Sequence, residues 1–250
     1  MGEKVILVYL VVCFFVFLAG FVDSIAGGGG LISLPAFLLA GLTPHSAIAT
    51  NKLSSALGTT VSTARYCKNG FYDKSLILPG ILAALSGSFL GAKLVLKISD
   101  VFLKKMMLFV LPVVAAAVLL KKKEPEYDSS FPAARRLIIV IISAFLIGIY
   151  DGFYGPGTGT FLLLCLTRLA RMDVRTASGN VKLINLSSNF AALITFLFSG
   201  YVNAMYGIAG ALFCFAGHYI GFGMVIKNGS KIVRPVIILV LILLFVKILS

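Results

Sequence analysis

The sequence contains little charge for its length. Only 12% of its 250 residues are Asp, Glu, Lys or Arg, whereas 59% are hydrophobic. Soluble domains carry about 25% charged residues to cover their surface. Cysteine is scarce too, and the spacing of Cys13, Cys67, Cys165 and Cys214 fits neither a metal-ligand set nor a disulfide framework. These shortages exclude an ordinary soluble enzyme, and we predict that the protein has no cofactor and no metal site.

Long apolar runs are present instead. Val5–Val22 has no charged residue, and Ile232–Leu249 is almost wholly aliphatic. Each approaches the ~20 residues that a helix needs to cross a bilayer. We therefore predict a multi-pass protein of the cell membrane, surrounded by lipid. The first run resembles a signal peptide, but we expect it to be retained because the segment that follows it recurs later in the chain.

The net charge of +13 does not indicate a nucleic-acid partner. Lysine and arginine lie mainly in short polar breaks between apolar runs, such as Lys121–Lys123 and Arg135–Arg136. This distribution is typical of cytoplasmic loops that contact anionic lipid. A nucleic-acid binder would carry a basic face on a polar domain, and the sequence contains no such domain.

An internal repeat relates the two halves of the chain. Gly20–Gly29 matches Gly148–Gly157 at an offset of 128 positions, and after a two-residue slip the offset is 130. In that second register Lys52 aligns with Lys182, while Asp23 aligns with Asp151 in the first. Charged residues that recur in register within apolar sequence indicate a duplicated unit.

Each repeat is predicted to contain five membrane elements, with residues 1–120 and 137–250 forming the repeats and residues 121–136 a cytoplasmic linker. The predicted elements are Val5–Val22, Leu31–Gly41, Ala47–Arg65, Leu76–Leu96 and Val101–Leu120, then Leu137–Tyr154, Thr160–Leu169, Ala177–Ser199, Ala204–Ile226 and Ile232–Leu249. The second element of each repeat is too short to span a bilayer, because ~10 helical residues rise only ~15 Å. We expect each to be a half-helix that follows a glycine turn. The predicted fold is an all-α polytopic membrane protein with two tandem repeats.

The charge distribution also predicts that the two repeats are inverted. Five crossings per repeat, with the linker in the cytoplasm, place 14 lysine and arginine residues inside and 6 outside. Four crossings per repeat would nearly remove this bias. The positive-inside rule therefore favours inverted repeats with both termini outside.

The glycine turns are candidate substrate sites, because inverted-repeat transporters bind substrate where helices break. Backbone amides at a helix N-terminus can bind an anion without a charged side chain. The candidate residues in these turns are Gly27, Gly28, Gly29, Gly30, Gly155, Gly157 and Thr158. For Gly87, Gly91, Gly217 and Gly221, in contrast, we expect close packing between helices.

The third element of each repeat is unusually polar, and its candidate substrate-binding residues are Thr50, Asn51, Lys52, Asn180, Lys182, Asn185 and Asn189. Ionisable residues within membrane segments usually face an interior site. We predict that Lys52 and Lys182 form a cationic pocket for a small anion. The alternative is that each lysine extends to the membrane surface or pairs with Asp23 or Asp151, which would then be coupling or structural acids.

These motifs resemble the TauE/SafE family of sulfite and organosulfonate exporters. The resemblance rests on Asp23–Gly30 with Pro35 and Ala47–Asn51, and on Gly155–Gly159 with Ala177–Lys182 and Asn189. Asn180 departs from the pattern, since the family usually has Thr there. The resemblance implies secondary transport of a sulfur-containing or carboxylated anion, such as sulfite or sulfoacetate. The expected partners are this small anion and the bilayer, and a homo-oligomer is compatible with the sequence.

Two other functions remain open. A passive anion channel would have the same composition, and only flux against a gradient would distinguish it from a carrier. An intramembrane aspartyl protease would use Asp23 and Asp151 as a catalytic pair, but the Gly-x-Gly-Asp context of such enzymes is absent. We expect His45 and His218 to be packed or interfacial residues, not ligands or proton relays.

Overall fold

A computed structural model describes residues 2–119, 128 and 130–228 of the chain. These residues form nine α-helices, one π-helical segment and no β-strand. The helices are α1 (Gly2–Ala26), α2 (Gly30–Leu39), α3 (Pro44–Lys68), α4 (Lys74–Val95), α5 (Asp100–Leu119), α6 (Ala133–Phe153), α7 (Thr158–Leu164), α8 (Val174–Phe198) and α9 (Ala204–Asn228), and the π-helical segment Cys165–Leu169 continues α7. The prediction of an all-α protein is confirmed for this part of the chain.

Five of the described helices are long and apolar enough to cross a membrane, namely α1, α4, α6, α8 and α9. Their outward faces carry exposed apolar side chains such as Leu78, Phe198 and Leu212, which suits contact with lipid. The protein is therefore a multi-pass membrane protein. The predicted final element Ile232–Leu249 and half of the predicted linker lie outside the described residues.

The two short elements form helices of the predicted kind. α2 has 10 residues, and the helical stretch Thr158–Leu169 is the other short apolar helix. Neither can cross a hydrocarbon core of ~30 Å, because ~10–12 helical residues rise only ~15–18 Å. Each follows a glycine with positive φ, Gly27 at 75° and Gly155 at 99°, which ends the preceding long helix.

The polar helices α3 and α8 begin at side-chain caps. Thr43 accepts a hydrogen bond from the Ser46 amide (3.4 Å) before Pro44 opens α3. Asp173 accepts from the amides of Arg175 (3.1 Å) and Thr176 (3.0 Å) at the start of α8. These caps satisfy free amides of the first turn. Both helices therefore begin three residues before the apolar pattern predicted.

Equivalent helices of the two repeats make equivalent contacts. α1 packs on α9 as α6 packs on α4, and α3 packs on α9 as α8 packs on α4. A Cβ atom at Gly91 would overlap the Ile149 carbonyl of α6, and one at Gly221 would overlap the Phe21 carbonyl of α1. Cβ atoms at Gly87 and Gly217 would also overlap backbone carbonyls of the neighbouring helices. The predicted role of these four glycines in close packing is therefore confirmed.

α3 packs against α8, and each of these two helices is contacted by helices of both repeats. Their buried faces are polar and include Asn51 and Lys52 on α3 and Lys182 and Asn185 on α8. Buried polar groups need partners. This arrangement brings the half-helices α2 and α7 and the ends of α1 and α6 around one polar centre.

Candidate functional site

A small cavity lies at this centre and is lined by both repeats. Its lining consists of Asp23, Gly27, Gly30, Asn51, Lys52, Ser55, Thr59, Asp151, Gly155, Gly157, Thr158, Gly159, Asn185 and Asn189. Nine of the fourteen predicted substrate-binding residues belong to it, together with both predicted acids. The structure thus brings the glycine turns and the polar helices to one site.

Lys52 forms an ion pair with the opposite repeat. Its Nζ lies 2.8 Å from Asp151 Oδ1 and donates to Asn189 Oδ1 at 3.1 Å. Asp151 Oδ2 in turn accepts from the Ser188 hydroxyl at 2.7 Å. Lys52 is only 1% exposed and Asp151 only 2%. We call these four residues the Lys52 cluster, and their charges cancel.

Lys182 of the second repeat forms the equivalent ion pair with Asp23 of the first repeat. Its Nζ lies 2.9 Å from Asp23 Oδ2 and also donates to the Asp23 backbone carbonyl. The other carboxylate oxygen, Oδ1, accepts from the amide of Gly29 (3.3 Å), the N-cap of half-helix α2. His218 Nε2 lies 3.6 Å from Asp23 Oδ2. We call Asp23, Lys182 and His218 the Lys182 cluster.

The crosswise pairing answers one question that the sequence left open. Each lysine has an aspartate partner, as the alternative prediction required, and each partner comes from the other repeat. The centre therefore contains two ammonium groups and two carboxylates, and it is not a purely cationic pocket. A substrate role for the lysines stays a prediction.

The two glycine turns touch each other beside the cavity. The amide of Thr160 donates to the Gly27 carbonyl at 3.2 Å, across the repeats. A Cβ atom on Gly27 would lie 2.6 Å from the Gly159 backbone, so only glycine permits this approach. Gly30 in the first turn of α2 and Gly159 in that of α7 both line the cavity. The positive ends of two helix dipoles thus point toward one polar space.

Five predicted residues lie outside the cavity lining: Gly28, Gly29, Thr50, Asn180 and Lys182. Thr50 Oγ1 accepts from the Asn203 amide just before α9, and Asn180 Oδ1 accepts from the Asp73 amide just before α4, each at 3.0 Å. These two bonds are equivalent in the repeat. Thr50 therefore fixes the start of α9, and Asn180 fixes the start of α4.

Several residues of the site were not predicted from the sequence. Ser55, Thr59 and Gly159 line the cavity, and Ser188 and His218 contact the two aspartates. Ser55 and Thr59 lie one and two turns after Asn51 on α3, so helical periodicity alone could have identified them. His218 is buried, as expected, but it also faces a carboxylate, which no local spacing indicates.

Two buried atoms on the cavity wall lack a hydrogen-bond partner within the described part of the chain. They are the Thr59 hydroxyl oxygen and the Asn185 side-chain oxygen. Unpaired buried polar groups are costly, and they often mark a binding site. Among the residues that the structure describes, no group of three or more His, Cys, Asp or Glu could hold a metal.

Comparisons with known proteins agree with this architecture. Residues 12–248 match the family model described as "Sulfite exporter TauE/SafE", so the chain belongs to the TauE/SafE family. It is 35% identical over 234 residues to "Probable membrane transporter protein ORF9" of a Sinorhizobium species, covering 94% of this chain and 89% of that protein. It is 34% identical over 230 residues to "Probable membrane transporter protein YfcA" of Escherichia coli K12, covering 92% and 85%. No solved structure matches the chain significantly.

Proposed function

We propose that this TauE/SafE protein is a secondary transporter that carries a small sulfur-containing or carboxylated anion, such as sulfite or sulfoacetate, across the cell membrane. The observation that carries the proposal is the central cavity, which both repeats line. Lys52 supplies an ammonium group there, and the Thr59 hydroxyl and the Asn185 side-chain oxygen are buried without partners among the described residues. The matched family and the relatives are described as exporters and transporters, not enzymes.

The anion would bind between Lys52 and the two glycine turns. An ammonium group in a partly dry site attracts a sulfonate or carboxylate more strongly than it does in water. The unpaired Thr59 hydroxyl on α3 supplies a further donor, and the α2 and α7 N-termini contribute positive potential. Asn51, Asn185 and Asn189 complete the polar wall.

The two repeats would have inverted orientations in the membrane. The bias of lysine and arginine toward one side supports this topology, and so does a site located where half-helices from both repeats meet. Alternating access would then come from movement of one repeat against the other around the cavity.

Counterflow into proteoliposomes tests the proposal. Vesicles that contain purified protein and excess unlabelled sulfite or sulfoacetate should transiently concentrate the labelled anion from outside, whereas chloride should not drive this uptake. A channel does not concentrate the labelled anion, so passive flux without transient accumulation would favour a channel. Proteolysis that depends on Asp23 and Asp151 would instead favour the protease.

Variants locate the binding site. Lys52→Ala should weaken anion binding by roughly 30-fold or more, since truncating one partner of a buried charged pair commonly costs ~2–5 kcal/mol. Thr59→Val should weaken it by about tenfold through loss of one bond to a charged ligand. The matched control is Thr60→Val, because Thr60 is exposed and bonds only to the Ala56 carbonyl (2.9 Å). Near-native affinity in folded Lys52→Ala protein would remove this lysine from the site.

A further inference from the structure

The two lysine–aspartate clusters are equivalent in the repeat, but their remaining partners differ. In the Lys52 cluster, Asp151 accepts from Ser188, whose equivalent in the first repeat is Gly58. A Cβ atom on Gly58 would overlap Cys214 Sγ and lie 3.0 Å from the His218 ring carbon Cδ2, so the missing side chain makes room for both the thiol and the imidazole. Ser88 is the equivalent of His218. Only one cluster therefore contains an imidazole.

The hydrogen bonds around His218 define where its proton lies. The Ser62 hydroxyl is 3.1 Å from the Thr59 carbonyl, which can only accept, so Ser62 donates there. Its oxygen is also 3.0 Å from His218 Nδ1 and can then accept, and on this ground we assign the imidazole proton to Nδ1. In neutral His218 the bare Nε2 thus faces Asp23 Oδ2 at 3.6 Å, one acceptor opposite another.

We propose that this gap between His218 Nε2 and Asp23 Oδ2 is the proton-binding site that couples anion transport to the proton gradient. This inference rests on the proposed function. A proton from water binds Nε2, and the resulting imidazolium donates to Asp23 Oδ2. Charge-assisted bonds of this kind shorten to about 2.7–2.9 Å. No other bond forms or breaks.

The groups that face His218 from the packed elements support this assignment. Asp23 faces it from α1 and Lys182 from α8, while Cys214 lies one turn away on α9 itself. On α3, Ser62 contacts the ring, and the Arg65 guanidinium is held by the Tyr219 carbonyl at 2.7 Å. Asp23 is the one carboxylate among these groups, and it also lines the cavity.

Proton binding at this position changes the charge that the anion meets. Without the proton, the two lysines and two aspartates of the clusters sum to zero, and Asp23 presents a negative charge to the cavity. With the proton, the sum becomes +1, and Asp23 Oδ2 is shared between two cations. At an effective dielectric constant of about 20, a unit charge strengthens the binding of an anion that lies ~6–8 Å from it roughly 30- to 100-fold. Proton and anion therefore bind together and move in the same direction.

Proteoliposomes that contain a pH-sensitive dye test the coupling. The probe is sulfoacetate, whose acid groups stay ionised between about pH 6 and 8. If the wild type does not exchange sulfoacetate, the probe is sulfite, and its passive flux into empty liposomes is subtracted. We expect net probe uptake by the wild type to acidify the lumen and an imposed pH gradient to drive accumulation. In His218→Gln, and in His218→Asn if the first variant does not fold, counterflow should persist with a KM raised by up to roughly 30- to 100-fold, while gradient-driven accumulation and lumen acidification are lost.

His45→Gln is the matched control. His45 is the other histidine of the chain, is also buried, and also contacts an aspartate, with Nδ1 at 2.6 Å from Asp100 Oδ1, but it does not line the cavity. It should keep both counterflow and coupling. Full gradient-driven accumulation in the His218 variants, or net wild-type uptake without proton movement, would overturn the inference and leave the proposed function intact. If the wild type exchanges neither probe, the proposed function is wrong and the inference falls with it.

Discussion

Replacing Lys52 by methionine would test how strongly the crosswise ion pairs hold the two repeats together. The change keeps most of the side-chain volume and removes only the ammonium group, which leaves Asp151 buried at 2% exposure with Ser188 as a remaining donor. An uncompensated buried charge of this kind costs about 3–5 kcal/mol. That is a large fraction of the ~5–15 kcal/mol net stability of a typical domain.

The double variant Lys52→Met/Asp151→Asn separates the ion pair from other effects. It leaves neither charge unpaired, so most of the loss should be recovered, to within about 1–2 kcal/mol of the wild type. Lys97→Met is the control, because Lys97 is exposed and such substitutions change stability by only about 0.5 kcal/mol.

Thermal unfolding in detergent, followed with a thiol-reactive dye, is the suitable assay. The chain has no tryptophan, but Cys13 and Cys214 are buried and become reactive on unfolding. With ~2–4 °C per kcal/mol for a chain of this size, Lys52→Met should lower the Tm by about 6–20 °C. A Tm within 2 °C of that of Lys97→Met, or a double variant as unstable as Lys52→Met, would refute the reasoning.

Three further predictions concern packing, helix starts and topology. Gly152→Ala should destabilise the protein by about 1–3 kcal/mol or more, because its Cβ would overlap the Ser88 carbonyl. Gly223→Ala, whose Cβ would have no atom within 4 Å, should be neutral or stabilising. Thermal melting measures both effects. Thr50→Val and Asn180→Leu should each cost about 0.5–2 kcal/mol of stability and leave the KM of counterflow unchanged. A large change in KM would show that these residues take part in substrate binding. In a variant without the native cysteines, Asn69→Cys should react with an impermeant thiol reagent only from the cytoplasm, and its repeat equivalent Ser199→Cys only from outside. Labelling of both positions from the same side would contradict inverted repeats.

Local physics made most of the helices predictable from the sequence. Apolar runs and glycine breaks located every described helix, and length alone identified α2 and the Thr158–Leu169 stretch as half-helices. The exact starts of α3 and α8 were missed because their first turns are polar and are defined by the caps Thr43 and Asp173. Capping residues carry that information, but hydropathy does not.

The partners of the polar residues were not predictable in the same way. Thr50 and Asn180 share the composition of a binding site with Asn51 and Asn185, yet their bonds go to backbone amides more than 100 positions away. The same limit applies to His218, whose contact with Asp23 depends on how α9 packs against α1. Such contacts follow from helix packing, and no spacing within one element encodes them.

Substrate binding and pairing with an aspartate, the two roles considered for the lysines, are compatible if the substrate-free state of the proposed carrier is also considered. A secondary transporter must return across the membrane without its substrate, and an unpaired ammonium group at the centre would make that state costly. Pairing Lys52 with Asp151 and Lys182 with Asp23 keeps the empty centre neutral, and each pair joins opposite repeats. In the proposed function, a bound anion would compete with a carboxylate for an ammonium group that is already positioned. The affinity for the anion is consequently limited by the strength of the pair, which suits a carrier that must also release its substrate.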